Sequence, residues 1–310
     1  MTRQVLNGLN GANPLGFLAS IGLLRVLDRS MPGTRMGFTE NGAFSAWVDC
    51  DSSADIGRLV AEDAAGQAGP QPWRLRYFKA GKNGPEINDL KPPPGVFRDF
   101  MEQAITLWVD GEPGQAEYAA GYGTDVAVDN KGNTKPTALH FTAARQEFLA
   151  TVEKSRASVT EEWASRALRQ LGALKAGNNL RWDPDAERIR ALMGENPGDG
   201  ETFVNSPLEW LAFRALPCFP CVPIGSRAVT TCVSGRRQHE LHLNWPLWAI
   251  GADLPTVRSL LVCVADWGDA MGATSSLKER RARGVIAMCR SEIRRTAMGF
   301  GNFGPAFVRS

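Results

Sequence analysis

The chain has 310 residues, a formal net charge of +2, 43% hydrophobic and 22% charged residues, ordinary proportions for a soluble globular protein that can bury a core. No apolar run reaches the ~18–20 residues that a bilayer span needs. The longest candidate, Leu15 to Leu27, is broken by Gly16, Ser20, Gly22 and Arg25 and lacks the basic start and cleavage site of a signal peptide, so a cytoplasmic protein is expected.

In chain order, Val5 to Leu9 reads as a short strand. Asn13 is placed to cap a helix and Pro14 stands at its first position, where a missing N–H costs nothing. Apolar residues surround the helix from Leu15 to about Asp28 almost completely, which predicts a buried helix. A hairpin follows, with Met36 to Thr39 and Phe44 to Val48 flanking Glu40-Asn41-Gly42. Ala54 to Ala64 reads as an acidic helix. Arg74 to Lys79 reads as a strand, leading into the loop of Lys82 and Asn83, with Trp73, Tyr77 and Phe78 interleaved among the cations. That mixture suits single-strand binding by stacking plus charge, and equally an ordinary edge strand.

A helix over about 95–108, a strand over Tyr118 to Val128 and a turn at Asp129-Asn130-Lys131-Gly132 come next. Helices are expected at about 142–152 and 160–171, the second with acidic residues Glu161 and Glu162 in its first turn, which suits the helix dipole. A helix at about 207–215 is followed by short strands at 228–233, 241–244 and 247–250 and by a helix at 256–265. The fold class expected is α+β, mixed helices and short antiparallel strands, in one large or two closely packed domains. The division drawn is 1–135, with the hairpin and the basic and aromatic loop, and 136–310, ending in an arginine-rich segment.

That segment, Leu277 to Arg309, holds Lys278, Arg280, Arg281, Arg283, Arg290, Arg294, Arg295 and Arg309 against Glu279 and Glu292, a balance of +6 where the remainder of the chain sums to −4. Arginine presents a planar, permanently charged fork that fits phosphate, and this asymmetry is the pattern of a nucleic-acid contact. An ordinary solvated face is the alternative. Val285, Ile286, Met288, Cys289 and Ile293 argue that the segment folds. Ser276 and Glu279 make a capping box for a helix, while Gly284 to Ile293 alternates like a strand with Arg290, Glu292 and Arg294 outward. Under either reading the arginines share a side.

Enzyme motifs are sparse: the chain has no Walker loop, no dinucleotide fingerprint and no nucleophile elbow. Six cysteines in a cytosolic chain do not suggest disulfides. Cys218-Phe-Pro-Cys221 has zinc or redox spacing without a second clip, so a buried pair is the preferred reading, with a site at Cys218 and Cys221 the alternative. His239 and His242 are too close for a helical zinc motif and read as strand residues. No cofactor and no metal is expected.

The stretch Asn13-Pro14-Leu15-Gly16-Phe17-Leu18-Ala19-Ser20-Ile21-Gly22-Leu23-Leu24 resembles the opening of CRISPR-associated subunits of type I systems of the U/G kind. Gly123-Thr124-Asp125, Leu139-His140-Phe141-Thr142-Ala143, Leu180-Arg181-Trp182-Asp183-Pro184, Glu209-Trp210-Leu211-Ala212, Trp245-Pro246-Leu247-Trp248 and Asn302-Phe303-Gly304-Pro305-Ala306 are similar in the same order. The resemblance implies a compact, large-subunit-like and non-catalytic component of a crRNA-guided Cascade complex. Its partners would be other effector subunits, crRNA and target DNA near the protospacer-adjacent motif, with no membrane and no small-molecule substrate. Arg280, Arg281, Arg283, Arg290, Arg294 and Arg295 are the expected phosphate contacts, with Lys79, Lys82 and Asn83 as a second group. A scaffold role, with Trp73, Trp182 and Trp245 as partner anchors, is a further alternative.

Overall fold

The computed structural model describes residues 2–40, 44–51, 53–67, 71–78, 84–142, 146–177, 179–186, 203–235, 240–268, 274–295 and 301–309, without the side chains of 265–268 and 274–276. The fold is mixed α+β, as the sequence predicts, with helices and short antiparallel strands gathered in small sheets.

Helix α1 (Pro14–Ser30) is the axis of the core. Asn13 caps it, its side chain accepting from the amides of Leu15 and Gly16, and every residue from Pro14 to Leu27 is buried. Strand β1 (Thr2–Asn10) runs antiparallel to β3 (Ser45–Cys50), which also pairs with β2 (Arg35–Phe38), giving the order β1-β3-β2. The Asn41-Gly42 tip between β2 and β3 lies outside the described residues. Across the helix lies α7 (Ser206–Arg214), also buried throughout. Gly22 makes that contact possible: a Cβ there would stand 1.7 Å from the carbonyl oxygen of Leu211. Only hydrogen fits between the two backbones.

Around this pair stand α2 (Ile56–Gly66), α3 (Pro94–Val109), α4 (Gly114–Tyr122), α5 (Phe148–Ala157) and α6 (Glu161–Arg169). Capping follows the sequence: Asp55 accepts from the amide of Arg58 and Thr160 from that of Trp163. Two-residue strands β4 (Tyr77–Phe78) with β5 (Glu86–Ile87) and β8 (Lys175–Ala176) with β9 (Phe203–Val204) pair locally, as do the longer β6 (Gly123–Val128) with β7 (Thr134–Pro136) and β10 (Cys221–Ile224) with β11 (Arg227–Thr230). Strands β12 (Val233–Ser234), β13 (His242–Trp248), β14 (Val285–Arg295) and β15 (Gly301–Arg309) form the largest sheet, antiparallel in chain order. Helices α8 (Leu254–Gly268) and α9 (Thr274–Ala282) lead from β13 to β14.

Several elements differ from the sequence reading. The expected strand from Tyr118 begins as helix, because Tyr118 and Tyr122 sit one turn apart and both rings pack inward beside Phe100 and Phe213. The expected strands 241–244 and 247–250 are one strand running through Pro246. The expected helix over 142–152 starts only at Phe148. Trp73, Trp182 and Trp245 are no more than 1% exposed and cannot anchor a partner. Their indole N–H groups explain part of this: Trp182 donates to the Leu139 carbonyl at 2.9 Å and Trp245 to that of Gly11 at 2.8 Å.

A polar network crosses the apolar interior. Arg25 and Arg214, 2% and 0% exposed, both donate to the Tyr118 hydroxyl. Arg214 also pairs with Asp63 at 2.9 Å, whose other oxygen accepts from Trp210. Arg25 pairs with Glu117, which Arg258 reaches from α8 at 2.7 Å. Five helices are thereby joined, and the two buried guanidinium groups, Arg25 and Arg214, are stable there only because their partners are present, whereas Glu117 and Arg258 remain partly open to solvent.

Candidate nucleic-acid interface

The arginine-rich segment resolves the choice between helix and strand by using both. Helix α9 ends at Ala282, and Gly284 adopts a left-handed backbone at φ 76°, which turns the chain into β14. Glu279 pairs with Arg283 at 2.6 Å across that corner. Since α9 begins at Thr274, Ser276 lies within the helix, and its side chain is outside the described set.

Within β14 the side chains alternate. Cys289, Ser291 and Ile293 are buried, whereas Arg290, Glu292 and Arg294 point outward. The register adds residues from the neighbours. Arg290 stands between Asn244 of β13 and Phe307 of β15, and Arg294 opposite Asn302. Arg290 Nε donates to Asn244 Oδ1 at 2.7 Å, and Asn244 is itself fixed on Ser234 at 2.9 Å. Arg294 Nε donates to Glu292 at 3.0 Å, and its guanidinium passes beside Gly304. Phe307 is 61% exposed. An outward aromatic ring opposite a tethered guanidinium is the combination that holds an unpaired base and its phosphate.

The other arginines divide. Arg281, Arg283 and Arg309 are exposed. Arg280 is 6% exposed, and burial, then the nearby charges of Arg309 and Arg281, pull its pKa down. Arg295 is turned to the protein, donating to the carbonyls of Ala138 and His140 at 2.9 and 3.2 Å with its guanidinium 5.4 Å from the Phe141 ring. The sequence grouped Arg280 and Arg295 with the outward set, whereas their side chains are enclosed. Phe307, Asn302 and Arg309 are the residues that the sequence reading left out of the site. The signal for Phe307 was present as the alternation Pro305, Phe307, Arg309 at the end of the chain.

No family model matches this chain, and no curated protein is significantly similar to it.

The second group fares differently. Lys79, Lys82 and Asn83 lie outside the described residues. Of the aromatics beside them, Trp73 and Tyr77 are 1% and 8% exposed and only Phe78, at 47%, faces out. Arg74 pairs with Glu153 at 2.9 Å and Arg76 with Glu86 at 3.5 Å. A stacking platform on this strand is thus reduced to Phe78.

Cys218 is buried and Cys221 half-buried, with its thiol directed at the Gly121 carbonyl and Thr230. Burial pushes both thiols above their usual pKa, the reverse of what a reactive cysteine needs. Among the described residues no group of three or more His, Cys, Asp or Glu side chains is arranged to hold a metal ion, and His239 lies outside them. No described helix is long and apolar enough to cross a membrane.

Proposed function

We propose that this chain is a nucleic-acid-binding subunit of a crRNA-guided type I CRISPR complex, and that it holds a phosphate backbone on the outward face of β14 and β15. The observation that carries the reading is the row Arg290 and Arg294 with Phe307 opposite Arg290, extended by the exposed Arg281, Arg283 and Arg309. In guided complexes base pairing reads the sequence, and the protein needs only to grip the backbone and a short motif. The order of short motifs resembling type I subunits supports the choice of a guided complex over other nucleic-acid partners. Arg280 and Arg295 are assigned supporting roles: Arg295 fixes the segment Ala138–His140 beneath the sheet.

The test is binding of labelled single-stranded and duplex DNA and of RNA, followed by anisotropy at several salt concentrations. Reversing Arg281, Arg290 and Arg294 to Glu is expected to weaken binding at least ~10-fold and to flatten the salt dependence by about 0.7 of a log unit per lost single-strand contact. Unchanged affinity and slope would remove the assignment. Phe307→Ala is expected to cost about 1–3 kcal/mol on single strands and much less on duplex, since only an unpaired base can stack on it. Purification of the intact assembly with repeat-derived RNA tests the guided-complex part.

An assembly role also has one observation behind it. Ile105, Trp108 and Val109 are 64%, 58% and 79% exposed at helical spacing on α3, an apolar stripe that suits a neighbouring protein subunit.

A further inference from the structure

A cavity of about 180 Å³ opens where the end of α5, the start of α6, β8 and the start of α7 meet. Its wall is Lys154, Ser155, Ser158, Trp163, Lys175 and Ser206 with two small residues. Two cations and three serines therefore line one small space, with the Ser155 and Ser158 hydroxyls donating to Glu209 and to the Ser155 carbonyl, and none of the described lining side chains is a carboxylate.

Three features show that the wall is organised. The Lys175 ammonium rests 4.4 Å from the centre of the buried Trp163 ring, which holds it at the mouth. Ser206 is 7% exposed, and its hydroxyl has no hydrogen-bond partner among the described residues. It is also the first residue of α7, where the helix dipole is positive. Ser155, 2% exposed, rests 3.2 Å from Glu209 behind the wall. Burial raises the Glu209 carboxyl to about 8, so it is mostly protonated at neutral pH and repels an anion little.

We propose that this cavity binds a single phosphate group, with Lys154 and Lys175 supplying charge and Ser206 donating its hydroxyl hydrogen, while the Ser158 hydroxyl stays on the Ser155 carbonyl at 2.8 Å. The site shares no residue with the arginine-bearing sheet and does not depend on the role given to it. The phosphate comes either from solution or from the 5′ end of an oligonucleotide, and the chemistry of the wall is common to both.

Calorimetric titration of the full chain at low salt tests it, using inorganic phosphate, a 5′-phosphorylated trinucleotide and the same trinucleotide without its phosphate. Saturable phosphate binding with a Kd of about 1 mM or tighter is expected, weakened at least ~10-fold by Lys175→Glu and by Ser206→Ala. Lys175 is exposed, so its reversal gives up only its contact with the Trp163 ring and leaves the chain folded, which circular dichroism checks, separating binding from folding. Either the phosphorylated trinucleotide binds more tightly, which assigns the site to a nucleic-acid end, or it matches inorganic phosphate, which assigns it to the free anion. No saturable signal up to about 10 mM, or an unaltered Kd in Lys175→Glu, would overturn the proposal.

Discussion

A carboxyl sealed behind Ser155 and the Leu180 amide keeps its proton in the folded state. Glu209 is 1% exposed, accepts from Leu180 N at 2.7 Å, and is held at about 8 against an ordinary 4.5 by burial, with nearby Asp183 also raised by burial. The folded chain therefore binds more protons than the unfolded one between those two values. The stability that depends on this group is fully present below about 4.5 and is lost as pH rises through about 8. Glu209→Gln cannot ionise and keeps the acceptor for Leu180. Its chemical-denaturation stability relative to the parent is expected to climb between pH 5 and 8.5, whereas a parallel pair of pH profiles would contradict the protonated state. Arg214 makes the opposite case. Replacing it with Ala removes the cation paired with Asp63, leaving that carboxylate only the Trp210 indole and the Tyr118 hydroxyl only Arg25, and a loss of about 3–5 kcal/mol is expected in denaturant unfolding. Neither role was legible from sequence. Glu209 stands in a run that reads as an ordinary amphipathic first turn, and Arg25 reads only as an interruption of an apolar stretch. Their environment is supplied by distant residues, 29 and 54 positions away for Glu209 and 92 and 189 positions away for Arg25.

Among the elements, those with strong local signals were readable and those decided by long-range packing were not. Asn13-Pro14 fixes the start of α1 because a cap and a fixed φ act locally, and the β2–β3 hairpin follows from alternation around Asn-Gly. Helix α4 was hidden because tyrosines and glycines lower local helix preference, and only the fit of Tyr118 and Tyr122 against Phe100 and Phe213 overrides it. Within the candidate interface, the outward alternation of Arg290, Glu292 and Arg294 was legible from period alone. The bend at Gly284, which separates Arg281 and Arg283 from them, was not, because helix and strand patterns overlap in that segment. The α1–α7 contact gives a test at this scale: Gly22→Ala would drive a methyl into the Leu211 carbonyl. A rigid helix pair cannot absorb that, and a destabilisation of about 3 kcal/mol or more is expected in thermal or denaturant unfolding, far above the small gain an exposed Gly→Ala change gives a helix.

Over the whole molecule one apolar cluster runs from Leu6 to Phe303, so residues on both sides of position 135 share a core. Unfolding followed by circular dichroism and by tryptophan fluorescence is expected to give one coincident transition. Several of the motifs singled out in the sequence meet around this core: Asn13 donates to Asp183 at 3.0 Å, Trp182 to Leu139, Trp245 to Gly11, and Phe141 packs on Phe303 at 4.9 Å. Apolar and aromatic motifs of this kind stand out in a sequence because they build the interior, whereas the outward residues of β14 and β15 leave a weaker mark. The all-round burial of α1 has a further cost during synthesis. Its principal cover, α7, is encoded roughly 180 residues later. At 5–20 residues per second the ribosome needs on the order of 10 to 40 s to supply it. Throughout that interval the apolar face that α7 will cover stays open, so the nascent chain is expected to engage holdase chaperones, and its yield should depend on translation speed between codons 30 and 206 more than anywhere else in the message.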